Sequence, residues 1–125
     1  MMEGIIIIMC RITFEDFCKV MSYDVAKKQG SCIEIEFCVD GCAEYQSSWL
    51  GKTIDKEAKE PIFWFGLTED GSQGYDYDSF ENFSNAKVFH EKSIKEIWDS
   101  VSLRSIDACN VQERLLLYLG HSLLY

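Results

Sequence analysis

The chain has 125 residues, the usual length of one domain. Its composition is 47% hydrophobic and 14% aromatic with a single proline, which indicates a folded globular protein and not a disordered one. The formal net charge of −9 disfavours binding to nucleic acids and to anionic membranes, because both are themselves negatively charged. We therefore expect a single compact domain over residues 1–125 that binds neither of them.

The cysteines and the N-terminus favour a cytoplasmic protein with reduced thiols. The six cysteines include no Cys-x-x-Cys pair, and their density is below that of secreted disulfide scaffolds. The hydrophobic run at residues 5–8 is too short to cross a bilayer, and Glu3 stands where a signal peptide carries basic residues. Four β-branched residues in succession favour an N-terminal strand there.

The next part of the chain predicts two helices followed by a strand. Thr13 is suited to cap a first helix, with Asp16 three residues later and apolar residues recurring at helical spacing behind it. A second short helix is expected at about 24–29 and should end at Gly30. Over residues 32–39 apolar side chains alternate with polar ones and cysteines, which predicts a half-buried antiparallel strand.

Two more strands complete a three-strand meander over about 32–67. The third is expected at about 62–67, behind Pro61, because proline is tolerated at the first position of a strand. The second is expected at 42–49, with an inward-facing set of Ala43, Tyr45 and Trp49.

The turn between the first two strands decides their register. With Asp40-Gly41 as a two-residue turn, Phe37 would lie opposite Glu44 and one of the two would occupy the wrong face. A three-residue turn over 39–41, with Gly41 left-handed, pairs Phe37 with Ala43 instead. We prefer the second register, which also places two pairs opposite each other on the outer face: Cys38 with Cys42, and Glu36 with Glu44.

The second half of the chain predicts mainly helices. Residues 68–77 are expected to form a polar loop, and Asp78 should cap the helix that follows it. Ser93 and Glu96 should cap a helix whose apolar stripe extends to Val101. A short strand near 103–106 precedes the last helix, capped by Asn110 and ended by Gly120. The fold class is therefore α+β: an antiparallel meander packed by four to five short helices.

No motif in the sequence carries a recognisable chemistry. Structural zinc needs four converging ligands, whereas Cys38 and Cys42 have no second pair, and a disulfide between them is disfavoured under reducing conditions. A calcium loop that starts at Asp70 would need glycine where Tyr75 stands. We predict no metal, no cofactor and no catalytic residue. The alternative is a small enzyme of unknown class with a site near Cys109 and His90, or in the acidic loop 69–78.

Acidic residues are concentrated in stretches that lack lysine and arginine. Six acids lie between residues 60 and 86 and four between 29 and 51, with no base in either stretch. Tyrosine provides interface contact area, and acidic groups accelerate the encounter with a cationic partner. The sequence therefore predicts a surface for a basic protein partner, formed by Glu34, Glu36, Glu44, Glu69, Asp70, Tyr75, Asp76 and Tyr77.

These observations predict a non-catalytic, acidic protein-interaction domain. In its sharper form the hypothesis is an immunity-type or inhibitor protein that covers the cationic site of a nuclease by mimicking phosphate charge. The sequence leaves the oligomeric state between monomer and homodimer, since a sheet face or the isoleucine-rich N-terminus could pair with a second copy.

Overall fold

The computed structural model describes residues 9–25, 32–54, 57 and 60–120. One antiparallel sheet has the spatial order β4-β3-β2-β1-β5. Its strands are β1 (Cys32–Val39), β2 (Ser48–Ile54), β3 (Pro61–Leu67), β4 (Gln73–Tyr77) and β5 (Val101–Ile106). The α-helices are α1 (Phe14–Met21), α2 (Phe80–Asn85) and α3 (Val111–Leu119), and single 3₁₀ turns lie at Ala43–Tyr45 and Trp98–Ser100. The α+β class is confirmed; β4 is a strand where the sequence predicts a loop, and the described residues hold three α-helices where four to five are predicted.

The hydrophobic core lies between one face of this sheet and the helices. β1 contributes Ile33, Ile35 and Phe37, all fully buried. On the helix side, the Phe83 ring of α2 stacks on Phe65 of β3, with ring centroids 4.2 Å apart. Burial of one such side chain stabilises the fold by about 1.5–3 kcal/mol, so the apolar residues on this face favour folding together.

The predicted boundaries of the first and last helices are confirmed. Thr13 Oγ1 accepts the backbone N–H of Asp16 at the start of α1, and Asn110 Oδ1 accepts that of Glu113 at the start of α3. Gly120 ends α3 with a left-handed φ of 79°. Each cap satisfies a backbone group that the helix itself leaves unpaired, which is why local sequence located these ends.

Two other helix predictions need correction. The cap of α2 is Ser79 and not Asp78, because the Ser79 hydroxyl accepts the backbone N–H of Asn82. Further on, Ser93 and Glu96 do exchange the two hydrogen bonds of a capping box. No α-helix continues from that box: turns and a 3₁₀ helix follow, and β5 begins at residue 101. From Val101 onward the backbone pairs with β1, so a helix cannot continue past that residue.

The predicted register between the first two strands is wrong. β2 begins at Ser48, which pairs with Phe37, while Glu36 pairs with Trp49. The 3₁₀ turn Ala43–Tyr45 fills the connection and buries Tyr45 without extended pairing. Neither the Glu36–Glu44 nor the Cys38–Cys42 pair forms, and both thiols are free. The observed register is favoured because it brings Leu50 beside Ile35 on the buried face.

Residues 73–77, predicted as part of a loop, form the edge strand β4. Tyr77 pairs with Phe63 and Tyr75 with Phe65, so the tyrosines continue the helix-side face of the sheet. The Tyr77 ring also contacts Phe83 of α2 at 6.3 Å between centroids. An edge strand is solvated along one side, which is why its composition resembles that of a loop.

Lys52 of β2 ties the sheet to α1. Its side chain is buried, and its Nζ donates to the carbonyl oxygens of Met21 and Tyr23, at 2.9 Å each. These carbonyls lie at the end of α1, where backbone acceptors have no donor within the helix. Burial lowers the pKa of Lys52 below its ordinary value.

Two predicted elements lie outside the described residues: the strand at 5–8 and most of the helix at 24–29. In the part of the chain that the structure covers, none of the helices has the length and apolar character needed to cross a bilayer.

Candidate functional site

Two tryptophans lie on the side of the sheet opposite the helices. Trp49 of β2 and Trp64 of β3 are half-buried, and neither takes part in the core cluster or in a ring–ring contact between described residues. Trp98, by contrast, is buried and donates its indole N–H to the Ile12 carbonyl at 2.8 Å. Large aromatic side chains outside the core are typical of contact surfaces. We call this side the outer face, formed by Glu34, Glu36, Trp49, Gly51, Trp64, Gly66, Gly74 and Asp76.

The strand register arranges the outer face in two rows that run across the sheet. The first, which we call the Trp64 row, is formed in order by Asp76, Trp64, Gly51 and Glu34. The second, the Trp49 row, is formed in order by Gly74, Gly66, Trp49 and Glu36. Each row therefore combines one indole with at least one carboxylate.

Gly51 allows the Trp64 indole to lie directly against the sheet. A Cβ atom at Gly51 would stand 2.5 Å from Cζ2 of Trp64 and 2.1 Å from the carbonyl oxygen of Ile33. Both distances are far below van der Waals contact, so glycine is the residue that this position accepts. The Trp64 ring leans from β3 over β2 and lies above Gly51. Glu34 is on the next strand, β1, so its backbone is about one strand spacing, roughly 4.8 Å, from the ring.

The two rows differ in how their carboxylates are neutralised. In the Trp49 row, Glu36 is paired with Arg104 of β5 at 3.3 Å and also accepts a hydrogen bond from Ser47 at 3.2 Å. In the Trp64 row, Glu34 and Asp76 are exposed, and neither has a cationic partner among the described residues. The Glu34 carboxylate has a weak contact with the Cys32 thiol at 3.8 Å. The Trp64 row is thus the more negative of the two.

The structure brings together three of the eight predicted contact residues on the outer face: Glu34, Glu36 and Asp76. Tyr75 and Tyr77 alternate with Asp76 along β4 and therefore lie on the helix side. Tyr75 is exposed there, while Tyr77 is half-buried against the ring of Phe65.

The remaining three predicted residues, Glu44, Glu69 and Asp70, line a shallow cleft beside the β3–β4 turn, together with Ala43 and Thr68. Asp70 accepts hydrogen bonds from the Thr68 hydroxyl at 2.7 Å and from the Ser72 backbone N–H at 3.0 Å. These bonds lower the pKa of Asp70 to about 2. A carboxylate with so low a pKa is a poor general base near neutral pH.

For the alternative of a small enzyme, the structure provides a contact between His90 and Glu44 but keeps His90 apart from Cys109. His90 Nε2 is hydrogen-bonded to a carboxylate oxygen of Glu44, but both side chains are exposed to solvent, at 64% and 45%. His90 lines a hollow with Val39, near the first residues of β5, whereas Cys109 follows the last residue of that strand. His90 and Cys109 are therefore not brought together. The described residues also contain no group of three or more metal-ligating side chains.

The outer tryptophans are the residues that sequence reasoning missed, and Trp49 was assigned to the wrong face. A signal was present in β3, where Phe63 and Phe65 point inward and Ile62 and Trp64 alternate with them. A strand that is apolar on both sides is typical of a sheet that is covered on both faces. In the described part of the chain no helix covers the outer face, so helix packing does not account for the apolar side chain of Trp64 there.

Comparison of the sequence and fold with protein-family models, with curated proteins and with solved structures finds no match.

Proposed function

We propose that this chain is a non-catalytic protein-interaction domain that binds a basic protein through its outer face, in the manner of an immunity or inhibitor protein. The observation that supports this most is the Trp64 row, where exposed carboxylates flank a tryptophan that lies outside the core cluster of the described residues. Tryptophan is a common anchor of protein interfaces, and carboxylates select a cationic partner.

The charge of the whole chain supports the same proposal. A net charge of −9 attracts a basic protein at long range and raises its rate of encounter. Near the surface, Glu34 and Asp76 would then act as contact groups, while Glu69 and Asp70 at the end of the sheet add to the field. Charges of this kind act over about 8–10 Å at physiological ionic strength, so the binding should depend strongly on salt.

A second candidate is an enzyme site around His90, supported by its hydrogen bond with Glu44 beside the Glu69–Asp70 cleft. The exposure of His90 and Glu44 to water disfavours the enzyme candidate, because solvent screens the charges that would stabilise a transition state. Replacement of His90 by alanine separates the candidates: it should leave partner binding through the outer face unchanged.

Partner capture with a charge-reversed variant tests the proposal. The test variant carries Glu34→Lys and Asp76→Lys. The control carries Glu81→Lys and Glu113→Lys, which change the net charge by the same amount at exposed positions on α2 and α3. Capture is compared at ionic strengths of about 0.01 M and about 1 M, where charges act over roughly 30 Å and 3 Å.

We expect a basic protein to be retained at low salt by the wild type and by the control, and to be lost from the test variant. With the purified partner, calorimetry should give an affinity at least about tenfold weaker for the test variant than for the control. Circular dichroism confirms that both variants fold. Absence of any salt-sensitive partner, or an equal loss in both variants, would contradict the proposal.

A further inference from the structure

We infer that Trp64 and Glu34 form a subsite for an arginine side chain of the basic partner. The guanidinium stacks on the Trp64 indole above Gly51 and donates hydrogen bonds to the Glu34 carboxylate. This inference rests on the proposed function and names the chemistry by which the outer face would recognise its partner.

The position of the ring carries the inference. Because no side chain stands at Gly51, the indole lies low on the sheet, and the row partner on the next strand is Glu34. A cation stacked on the ring would therefore stand about one strand spacing, roughly 4.8 Å, from the backbone of Glu34. A glutamate side chain spans that distance, so ring contact and carboxylate contact can form together.

Arginine fits this arrangement better than lysine. Its guanidinium is planar, so it can lie flat on an indole while its N–H groups point outward in the same plane. Paired N–H groups match the two oxygens of a carboxylate such as Glu34. A lysine ammonium can sit over the ring, but it is compact and strongly hydrated and does not provide this paired geometry.

The neighbouring row shows why this subsite lies at Trp64 and not at Trp49. The Glu36 carboxylate of the Trp49 row already has a guanidinium partner, Arg104 of the same chain. The corresponding carboxylate of the Trp64 row, Glu34, has no cation beside it among the described residues. Among the described residues, the carboxylate that lacks a guanidinium partner is therefore Glu34, beside Trp64.

The surface beyond Trp64 extends the subsite toward the sheet edge. Asp76 is the direct neighbour of Trp64 on β4, and it lines a hollow with Ile62, Tyr77 and Asp78. Ile62 is 36% exposed, so the hollow combines an apolar contact with two carboxylates. Such a surface suits the aliphatic stem of a long basic side chain, whose methylene groups pack on apolar atoms.

Two synthetic peptides test the inference without knowledge of the natural partner. One alternates glycine with arginine and the other alternates glycine with lysine, at equal length and charge. Binding is followed by NMR from the indole N–H signals of the tryptophans. The arginine peptide should shift the Trp64 signal and bind more tightly than the lysine peptide. Trp98 serves as the internal reference, because its N–H is already bonded to Ile12.

Variants at the two tryptophans make the test specific. Trp64→Leu should weaken binding of the arginine peptide about two- to fivefold, as expected for the loss of an exposed cation–π contact. Binding of the lysine peptide should change less. Trp64→Phe should restore part of the affinity if the aromatic face matters, and Trp49→Leu should leave it unchanged. Equal binding of both peptides, or full affinity in Trp64→Leu, would overturn the inference.

The outcome for the proposed function is read separately. If Glu34→Lys with Asp76→Lys abolishes capture of the basic partner while Trp64→Leu binds normally, the acidic interaction surface stands and the arginine subsite is wrong. If neither variant changes binding, both are wrong.

Discussion

Replacement of Gly51 by alanine tests the close packing on which the outer face depends. The new Cβ would stand 2.1 Å from the Ile33 carbonyl oxygen, whereas ordinary contact begins near 3.4 Å. Backbone cannot rotate away as a flexible side chain can, so β1 and β2 would have to separate locally by roughly 1 Å. These strands lie inside the sheet, and their separation would stretch the hydrogen bonds between them.

The expected cost follows from three contributions. Overpacking in a well-packed region destabilises by about 1–3 kcal/mol. One or two weakened backbone hydrogen bonds add about 0.5–1.5 kcal/mol each. The lower chain entropy of alanine in the unfolded state offsets about 0.4–1 kcal/mol. We therefore expect Gly51→Ala to lower the free energy of unfolding by about 2–4 kcal/mol, with a fall in Tm of roughly 5–15 °C.

Urea denaturation followed by circular dichroism measures this change, and the same face provides two controls. The nearest atoms to a Cβ at Gly66 or at Gly74 are 4.0 Å away, so alanine fits at both positions. Gly66→Ala and Gly74→Ala should be neutral or slightly stabilising. If Gly51→Ala unfolds within about 0.5 kcal/mol of the wild type at an unchanged m-value, or if Gly66→Ala loses as much stability, close packing at Gly51 is not what excludes a side chain there.

Two further predictions concern single polar groups. Lys52→Met should lower the free energy of unfolding in urea by about 1–2 kcal/mol, because two carbonyls at the end of α1 lose their donor. The control, Lys87→Met, removes an exposed ion pair and should change the free energy of unfolding little. Equal effects of the two substitutions would contradict the assigned role of Lys52. Thr68→Val should raise the pKa of Asp70 from about 2 in an NMR titration, because the carboxylate loses its hydroxyl donor. The pKa of Asp70 is depressed in the folded protein, so its stabilisation is present above the unfolded value near 3.9 and is lost as the pH falls toward 2. The difference in unfolding free energy between wild type and Thr68→Val should therefore narrow over that range. An unchanged titration midpoint of Asp70 in Thr68→Val would contradict this prediction.

The parts of this fold that local sequence determined are those held by local bonds. The caps at Thr13 and Asn110 and the helix end at Gly120 each depend on residues within one helical turn. The alternation in β1 and the apolar run of β3 also located two central strands, because their side chains bury on a fixed period of two.

Distant contacts decided the rest, since their energy depends on residues that are far apart in the sequence. Burial of Leu50 beside Ile35 set the register of β2 and thereby turned Trp49 outward. Pairing of β5 with β1 begins at Val101, the last residue of the helix that the sequence predicts after Ser93. The candidate site has the same origin: Asp76, Trp64, Gly51 and Glu34 come from four strands, and only the hydrogen-bonded sheet places them in one row. Composition showed that the chain is acidic, but tertiary structure determined which acids stand beside a half-buried indole on the outer face.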